Sequence, residues 1–369
     1  MAFVKREITA VDAPKPKPTD KETRDNYFVD ESQRVEMYSS GCQLLDCVLG
    51  GGWPVGRMSN IVGDKSTGKT GMVIEACANF NNKFIQTGRK GKIWYFEAES
   101  AFDKKYAEIL GLPLSAIDFV SENLMDEDYA AANLPKKSPA DMTVETVFEN
   151  LENIIARHGE DYEYGLYIVD SLDALSDRAE QGREIDAGSF GTKKAAKMSE
   201  LFRRLVCKLE RAKIHLLIIS QVRDNIGVTF GAKHTRSGGK AMDFYASQVL
   251  WLAEKAKLKK TMNKIERVVG IEVMANCKKN KIGMPYRTCQ YPIMFGFGID
   301  DIKAHLTWLE ELKLLDRLEE SQKTLEGIYK NVMARSDEEL LAFKEKLNKV
   351  IIEEWYLIEQ GFLPERSKY

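Results

Sequence analysis

The sequence lacks several features that mark membrane and metal-cluster proteins. No apolar run reaches the roughly 20 residues that span a bilayer, and the N-terminal stretch has no apolar core of signal-peptide length. Only four histidines are present, and the six cysteines form no C-x-x-C pair and have no histidine at zinc spacing. We therefore expect a cytoplasmic protein whose cysteines are reduced and structural.

A strong net charge is also absent. Lys and Arg number 54 and Asp and Glu number 56, which gives a formal net charge of −2. Such a chain has no global electrostatic attraction to nucleic acid, so any contact with DNA or RNA has to come from local basic loops. With 369 residues, of which 44% are hydrophobic, the chain can form one large domain and a smaller one.

Composition divides the chain into three parts. Residues 1–36 are rich in proline and charge and poor in large apolar residues, which predicts a flexible N-terminal arm. Between 37 and 300, strand-like and helix-like stretches alternate, which predicts an α/β core with a mostly parallel sheet flanked by helices. Residues 301–369 have helical spacing of leucines and a capping box at 336–339, which predicts a small helical C-terminal domain.

Short apolar stretches predict the strands of the sheet. They lie at 58–62, 92–96, 165–169, 214–219, 248–252 and 270–275. Two or three of them end at a polar or acidic residue, which is where the sites of open α/β sheets gather. Five lysines between 255 and 264 predict the solvated tip of a hairpin, with a basic partner-binding patch as the alternative.

A phosphate-binding loop is the strongest motif. Residues 63–70 match G-x-x-x-x-G-K-[ST] and lie between a predicted strand and a predicted helix, so the loop can face phosphate from a helix N-terminus. Lys69 is expected to reach the β and γ phosphate oxygens, and Thr70 to supply a ligand to Mg²⁺. An accidental glycine-rich turn is the alternative. The predicted nucleotide-binding residues of the loop are Gly63, Asp64, Lys65, Ser66, Thr67, Gly68, Lys69 and Thr70.

Polar residues that follow other strands extend this site. Asp170 ends the strand at 165–169, where an acidic residue can hold Mg²⁺ opposite Thr70. Glu99 follows the strand at 92–96 and can act as the base for the attacking water, whereas a surface loop residue is the alternative for it and for Glu97. Gln221 follows the strand at 214–219, where an amide can bond the γ-phosphate and move on hydrolysis.

The stretch after Gln221 mixes glycines, basic residues and isolated apolar residues. Residues 223–240 are long for a loop in a compact domain, which favours a functional segment. Their composition suits a segment that wraps a phosphate backbone and inserts Ile226 or Phe230 between bases. A solvated loop without a ligand is the alternative that composition alone leaves open.

Six stretches together resemble the RecA family of recombinases. They are 63–70, 95–103, 167–175, 219–231, 237–247 and 278–285, in the right order and spacing, and the likeness covers residues 38–300. The resemblance implies a RecA-like P-loop ATPase core that uses ATP and Mg²⁺. It also implies that Glu99 activates the attacking water, that Gln221 links the γ-phosphate to a DNA-binding loop, and that Asp103 and Tyr106 contact the adenine.

The resemblance further implies DNA-binding residues and an ATP site shared between protomers. Residues 177–191 would form the first DNA loop and 223–240 the second, with Ile226 as the wedge between bases. Lys279 and Lys281 would reach the ATP of the neighbouring protomer, although on composition alone they are solvated charges. The residues expected to hold DNA phosphates are Arg203, Arg223, Gly238, Gly239 and Lys240.

Both ends of the chain depart from the family pattern. Residues 1–36 do not resemble the segment that docks onto a neighbour, the part after Asp300 does not resemble the usual C-terminal domain, and Asp243 stands where bacterial members carry a lysine. A phage-type member, similar in role to UvsX and acting in a bacterial or phage-infected cytoplasm, fits this divergence.

The resemblance implies a DNA-dependent ATPase that forms helical filaments on single-stranded DNA. Homologous pairing and strand exchange with duplex DNA in recombination and repair would follow, with single-strand-binding and mediator proteins as further partners. Two alternatives remain: a hexameric helicase or motor ATPase on the same core, and an accessory filament modulator that binds ATP and DNA without strand exchange.

Overall fold

A single large sheet organises the described part of the chain. The computed structural model describes residues 35–120, 143–176, 191–224, 234–236 and 239–366. These residues form a ten-stranded sheet flanked by helices, and a separate two-stranded sheet. The predicted α/β fold is confirmed, and so is each strand predicted from an apolar stretch. Within these ranges, no helix has both the length and the apolar content of a membrane span.

The strands range from two to sixteen residues in length. Their bounds are β1 (Met37–Tyr38), β2 (Trp53–Pro54), β3 (Met58–Gly63), β4 (Gly91–Glu97), β5 (Ile117–Phe119), β6 (Tyr164–Asp170), β7 (Ile214–Asp224), β8 (His234–Arg236), β9 (Gln248–Met262), β10 (Ile265–Asn280), β11 (Arg287–Met294) and β12 (Gly298–Ile299).

The α-helices lie between these strands and after the last of them. Their bounds are α1 (Gln43–Leu49), α2 (Lys69–Phe80), α3 (Lys104–Ile109), α4 (Val144–Ala156), α5 (Gly191–Arg211), α6 (Gly239–Tyr245), α7 (Asp301–Glu311), α8 (Leu325–Met333) and α9 (Asp337–Gly361).

The sheet has a parallel part and an antiparallel part. Its strand order is β12-β11-β10-β9-β3-β7-β6-β4-β5, with β8 paired to β7 beside this path. The strands from β9 to β5 are parallel, whereas β9 to β12 are antiparallel. In this register Gly63 lies opposite Gln221, and Glu97 lies opposite Asp170. The carboxyl ends of these strands therefore meet at one edge, which we call the carboxyl edge, and their other ends form the amino edge.

Alternate residues of each central strand enter hydrophobic clusters on opposite faces. In β6, Ile168 joins one cluster, whereas Tyr167 and Val169 join the other. This alternation follows from the two-residue period of a strand and explains why strands buried on both faces appear as continuous apolar runs. The cluster with Ile168 also receives side chains from α1, α2 and α7, and the other receives them from α4 and α5.

The residues after Asp300 are helical, as their spacing predicts. The predicted capping box is present at the start of α9: Ser336 Oγ accepts from the Glu339 N–H, and Glu339 accepts from the Ser336 N–H. Leu306 and Leu347 from these helices are fully buried in the same cluster as Ile168. The division of the chain into an arm, a core and a C-terminal domain stays a prediction.

Strands β9 and β10 form a hairpin that extends past its neighbours. The register of β9 with β3 stops at Leu252, and that of β10 with β11 begins at Gly270. Between them, within the described part of the chain, the two strands pair only with each other, around a turn at Asn263 and Lys264. The predicted hairpin is therefore confirmed, whereas its alternative role as a partner-binding patch stays untested.

Candidate functional site

The phosphate-binding loop joins a buried strand to an uncapped helix. All of β3 is buried, and α2 begins at Lys69 with Gly68 as its N-cap and no side-chain capping bond. The first turn of α2 contains no acidic residue. Backbone N–H groups at such a helix start attract anions. The loop therefore has the structure that a phosphate site requires.

Gly68 cannot be replaced by a residue with a side chain without strain. Its φ is 82°, in the left-handed region, and a Cβ there would lie 2.4 Å from Ile293 Cδ1. Thr67 Oγ1 and Lys69 Nζ both donate to the Asp64 carbonyl, at 2.9 and 2.6 Å. The loop thus curls back on itself.

Lys69 lies among carboxylates. Burial lowers its pKa, and the charges of Glu99, Asp170 and Asp64 act in the opposite direction. Burial outweighs the attraction of these acids, so the pKa of Lys69 is lowered.

Asp170 is the buried carboxylate of the site. It is 1% exposed, and its Oδ2 accepts from Thr70 Oγ1 at 3.0 Å and from the Tyr95 hydroxyl at 2.9 Å. Among the described residues, its Oδ1 has no hydrogen-bond partner. Burial raises the pKa of Asp170 to about 6, although the bonds from Tyr95 and Thr70 lower it. A buried acceptor oxygen beside the loop threonine fits a divalent cation.

The cation would take few ligands from the protein. In the described ranges no three His, Cys, Asp or Glu side chains are grouped to hold a metal by themselves. Mg²⁺ prefers oxygen ligands and commonly combines one or two protein groups with water and nucleotide phosphates. Thr70 and Asp170 therefore fit a Mg²⁺ ion that arrives with a nucleotide.

Glu99 and Gln221 are in direct contact. Gln221 Nε2 donates to Glu99 Oε1 at 2.8 Å, and Ser171 Oγ donates to the same oxygen. The structure thus brings the predicted base and the predicted phosphate sensor together across 122 residues of sequence. By contrast, Glu97 Oε1 accepts from the Phe102 N–H at 2.6 Å and caps a turn. This contact favours a structural role for Glu97.

Of the two residues predicted to contact the adenine, Tyr106 adjoins the first turn of α2 and Asp103 caps the helix that carries Tyr106. Asp103 caps α3 by accepting from the Tyr106 N–H at 3.0 Å. A Cβ on Gly71 would lie 3.6 Å from the Tyr106 ring, so this ring lies over the helix that carries Lys69 and Thr70. The Tyr106 hydroxyl donates to Glu75 Oε1 at 2.8 Å, and burial raises the pKa of Glu75 to about 7.

An aromatic turn beside Tyr106 was not predicted from the sequence. Phe295 and Phe297 are 60% and 58% exposed in the turn between β11 and β12. A Cβ on the following residue, Gly298, would lie 2.8 Å from the Tyr106 hydroxyl. Exposed aromatic rings of this kind suit a nucleotide base. The alternation of Phe and Gly over 295–298 is the sequence signal that could have found them.

Lys279 and Lys281 lie far from the phosphate loop of their own chain. Asn280 is in register with Gln248, which pairs with Ser59 near the start of β3. This places the two lysines about 13 Å or more along the sheet from Gly63. Lys279 Nζ donates to the carbonyls of Asp243 and Phe244, and Lys281 Nζ to that of Phe244, at the end of α6.

The structure describes part of the predicted DNA-binding residues. Arg203 is exposed on α5. Arg223 lies in β7 opposite Thr235 of β8, and Gly239 and Lys240 begin α6; all three are described through their backbone only. The remaining three, Ile226, Phe230 and Gly238, and most of the first predicted loop, 177–190, lie outside the described residues.

Comparison with known proteins gives matches over most of the chain. The sequence model of the RecA N-terminal domain matches residues 26–131 and 139–300. Protein RecA of Prochlorococcus marinus (strain MIT 9211) is 31% identical over 284 residues, which are 77% of this chain and 68% of the relative. Protein RecA of Trichodesmium erythraeum (strain IMS101) is 30% identical over 285 residues, or 77% and 69%. The matched part thus spans about two thirds of each relative.

Proposed function

Because the chain belongs to the RecA family, we propose that it is a DNA-dependent ATPase that polymerises on single-stranded DNA. Homologous pairing and strand exchange with a duplex would be its activity in recombination and repair. ATP and Mg²⁺ would be its cofactors. Single-strand-binding and mediator proteins, and membership of the phage-type branch, stay predictions.

One observation carries this proposal: Gln221 contacts both the hydrolytic site and the base of the predicted DNA loop. Its side chain bonds Glu99, and its backbone lies opposite Gly63, where the phosphate loop begins. Directly after Gln221, β7 continues into its antiparallel pairing with β8. A ligand that moves this segment can therefore act on the hydrolytic site through a single residue.

The residues of the carboxyl edge have distinct tasks in hydrolysis. Bound ATP with Mg²⁺ would supply the phosphoanhydride bond whose cleavage releases energy. Lys69 and the N-terminus of α2 hold negative charge on the phosphates, and Thr70 and Asp170 hold the cation. Glu99 accepts a proton from water once its oxygen is no longer shared with Ser171 and Gln221. Tyr106 and Asp103 would orient the adenine of ATP.

Lys279 and Lys281 support an assembly in which protomers share ATP. Both lie far from their own phosphate loop along the sheet, and in the single chain their ammonium groups bond the carbonyls of Asp243 and Phe244 in α6. Two cations at this distance from their own phosphate loop are better placed for phosphate on another chain than for their own. This placement supports a filament whose turnover depends on contact between neighbours.

The test is ATP turnover with and without single-stranded DNA, together with electron microscopy of the product. We expect DNA to stimulate turnover and helical filaments to form with ATP. The Lys69→Ala variant is the control, since it should form no ATP-dependent filament. An ATP turnover rate that is the same with and without single-stranded DNA would contradict the proposal.

The same preparation distinguishes the two alternatives. Closed rings in place of filaments would favour a hexameric helicase or motor. Normal filaments that give no joint molecules between single-stranded DNA and a homologous duplex would favour an accessory modulator. Joint molecules that require ATP would support strand exchange.

A further inference from the structure

Asp173 is a half-buried carboxylate that no motif singles out. It lies three residues after Asp170, in the single helical turn Leu172–Ala174 that follows β6. Its Oδ2 accepts from the backbone N–H of Gln221 at 2.7 Å. The two residues are 48 positions apart in sequence, so this contact exists only in the folded sheet.

The contact replaces a strand pairing that stops short. The parallel register of β6 with β7 ends at Val169 opposite Ile218, three residues before Gln221. Beyond that point β6 no longer supplies carbonyl groups to β7, although β7 continues to Asp224. A backbone N–H in this position needs an acceptor, because a half-buried donor without one destabilises the fold. The Asp173 carboxylate is that acceptor.

Gln221 is therefore held from both sides at the point where β7 leaves its β6 partner. Asp173 holds its backbone, while Glu99 holds its side-chain amide at 2.8 Å. On the other side β3 pairs with β7 as far as Gly63. The three contacts fix the backbone position and the side-chain orientation of Gln221 relative to the phosphate loop.

We propose that Asp173 is a positioning residue, which sets Gln221 so that occupation of the segment after β7 is transmitted to Glu99. The proposal rests on the proposed function, in which that segment binds DNA. A charge-assisted bond to the backbone N–H of Gln221 fixes the end of β7 at this residue, so a ligand bound there acts on the position of the Gln221 side-chain amide. Without the Asp173 carboxylate, the side-chain amide loses its fixed position relative to Glu99.

Two substitutions separate the hydrogen bond from the charge. In Asp173→Ala the ratio of turnover with and without single-stranded DNA should fall about tenfold, which is the worth of one charge-assisted bond. Any change in KM for ATP should be the same in Asp173→Ala and Asp173→Asn, because both lose the charge that acts on Lys69. Asp173→Asn keeps an acceptor oxygen of the same shape and should recover most of the ratio. The exposed Asp161→Ala, which loses only an ion pair with Arg157, is the matched control.

Amide hydrogen exchange of Gln221 gives a readout that does not depend on DNA. We expect this amide to exchange about tenfold faster in Asp173→Ala than in the wild type, and at a nearly wild-type rate in Asp173→Asn. Thermal unfolding of all three variants checks that the fold is intact. In a Gln221→Ala background, Asp173→Ala should change the turnover ratio no further, because Asp173 acts through the side-chain amide that Gln221→Ala removes.

The outcomes separate this inference from the proposed function. Full DNA stimulation in Asp173→Ala, or a defect as large in Asp173→Asn, would overturn the positioning role. Unchanged exchange of the Gln221 amide would overturn the contact itself. Absent stimulation in the wild type, with fast exchange in Asp173→Ala, would overturn the proposed function and the coupling but leave the hydrogen bond intact.

Discussion

The two edges of the sheet both bring charged side chains together. At the amino edge these side chains hydrogen-bond one another, whereas at the carboxyl edge some polar groups lack a partner among the described residues. At the amino edge lies a group that we call the anchor cluster: Glu36, Lys83, Phe84, Arg89 and Tyr164. Arg89 donates to both carboxylate oxygens of Glu36, at 2.6 and 3.1 Å, and to the Tyr164 hydroxyl at 2.7 Å. Its guanidinium group also lies 5.0 and 4.5 Å from the centres of the Phe84 and Tyr164 rings.

At the carboxyl edge, by contrast, the described residues do not supply all the hydrogen bonds that the polar groups can make. The Asp170 carboxylate keeps one buried oxygen without a partner among the described residues, and α2 begins without a side-chain cap. Three further carboxylates stand close enough to affect the pKa of Lys69. Charges that satisfy one another stabilise a fold, whereas charges left incomplete need a ligand. The difference between the edges thus agrees with the site that the phosphate-binding motif indicates.

Lys69 and Lys83 form a matched pair for the largest expected effect. Burial lowers the pKa of both lysines, and each donates to a backbone carbonyl. Lys69→Ala should lower ATP turnover by about 100-fold or more, because a cation that stabilises charge in the transition state is lost. Lys83→Ala should leave turnover per folded molecule within about twofold. Steady-state kinetics on both variants measures this, and equal losses would erase the distinction between the edges.

Glu99 offers the next largest effect. Glu99→Gln should slow turnover by about 100-fold, which is typical for the loss of a general base, and should leave single-stranded DNA binding intact. Its control is Glu97→Gln, since Glu97 caps a turn by accepting from Phe102 and should matter less. Turnover and DNA binding are measured on the same samples. If Glu97→Gln proved the slower variant, the base would be misassigned.

Arg89→Ala tests the anchor cluster by stability. Loss of the paired bonds to Glu36 and of the ring contacts should lower the free energy of unfolding by about 1 to 2 kcal/mol, a modest amount because both partners are partly exposed. Neither kcat nor KM should change in folded protein. Urea unfolding measures the first quantity. A kinetic defect without loss of stability would give the amino edge a functional role that its closed bonding argues against.

The motifs of the carboxyl edge could be predicted because each lies within a few residues of sequence. The phosphate loop, Asp170 and Gln221 all follow apolar stretches that became strands, and parallel strands bring their ends together. Strand identity was therefore enough to place Glu99 and Gln221 on one edge. Their direct bond also depends on the order of the strands, which the apolar stretches do not specify.

The contacts that the sequence did not predict depend on register and on where strands stop. Asp173 can bind Gln221 because the pairing of β6 with β7 ends three residues before Gln221. No local sequence pattern indicates where the pairing of two parallel strands ends. Ser171 meets Glu99 across 72 residues for the same reason. Phe295 and Phe297 are apolar residues in a turn, and only their exposure beside Tyr106 marks them. Residues that belong to a motif could be predicted from the sequence, whereas contacts that depend on strand register and strand ends could not.

One buried and one half-buried glutamate, Glu75 and Glu36, give the smallest effect, and their effects differ in sign. Burial raises the pKa of Glu75 to about 7, so the folded chain binds a proton that the unfolded chain releases above about 4.5. Glu75 therefore costs stability as pH rises from 4.5 to 7. For Glu36, burial raises the pKa, but the hydrogen bond and charge of Arg89 outweigh it and leave the pKa lowered. Glu36 thus contributes stability above its unfolded pKa and loses it in acid.

The two Gln variants should consequently move in opposite directions. At pH 8 Glu75→Gln should raise the free energy of unfolding by about 1 kcal/mol, because the shift of the pKa from 4.5 to about 7 corresponds to roughly 3 kcal/mol and the cost of burying the amide removes most of that. At pH 4.5 it should be close to the wild type. Glu36→Gln should lower it at pH 8 and approach the wild type in acid. Urea unfolding from pH 4.5 to 8 measures both. Effects of the same sign would mean that Arg89 does not outweigh burial at Glu36, and that the anchor cluster does not stabilise its carboxylate.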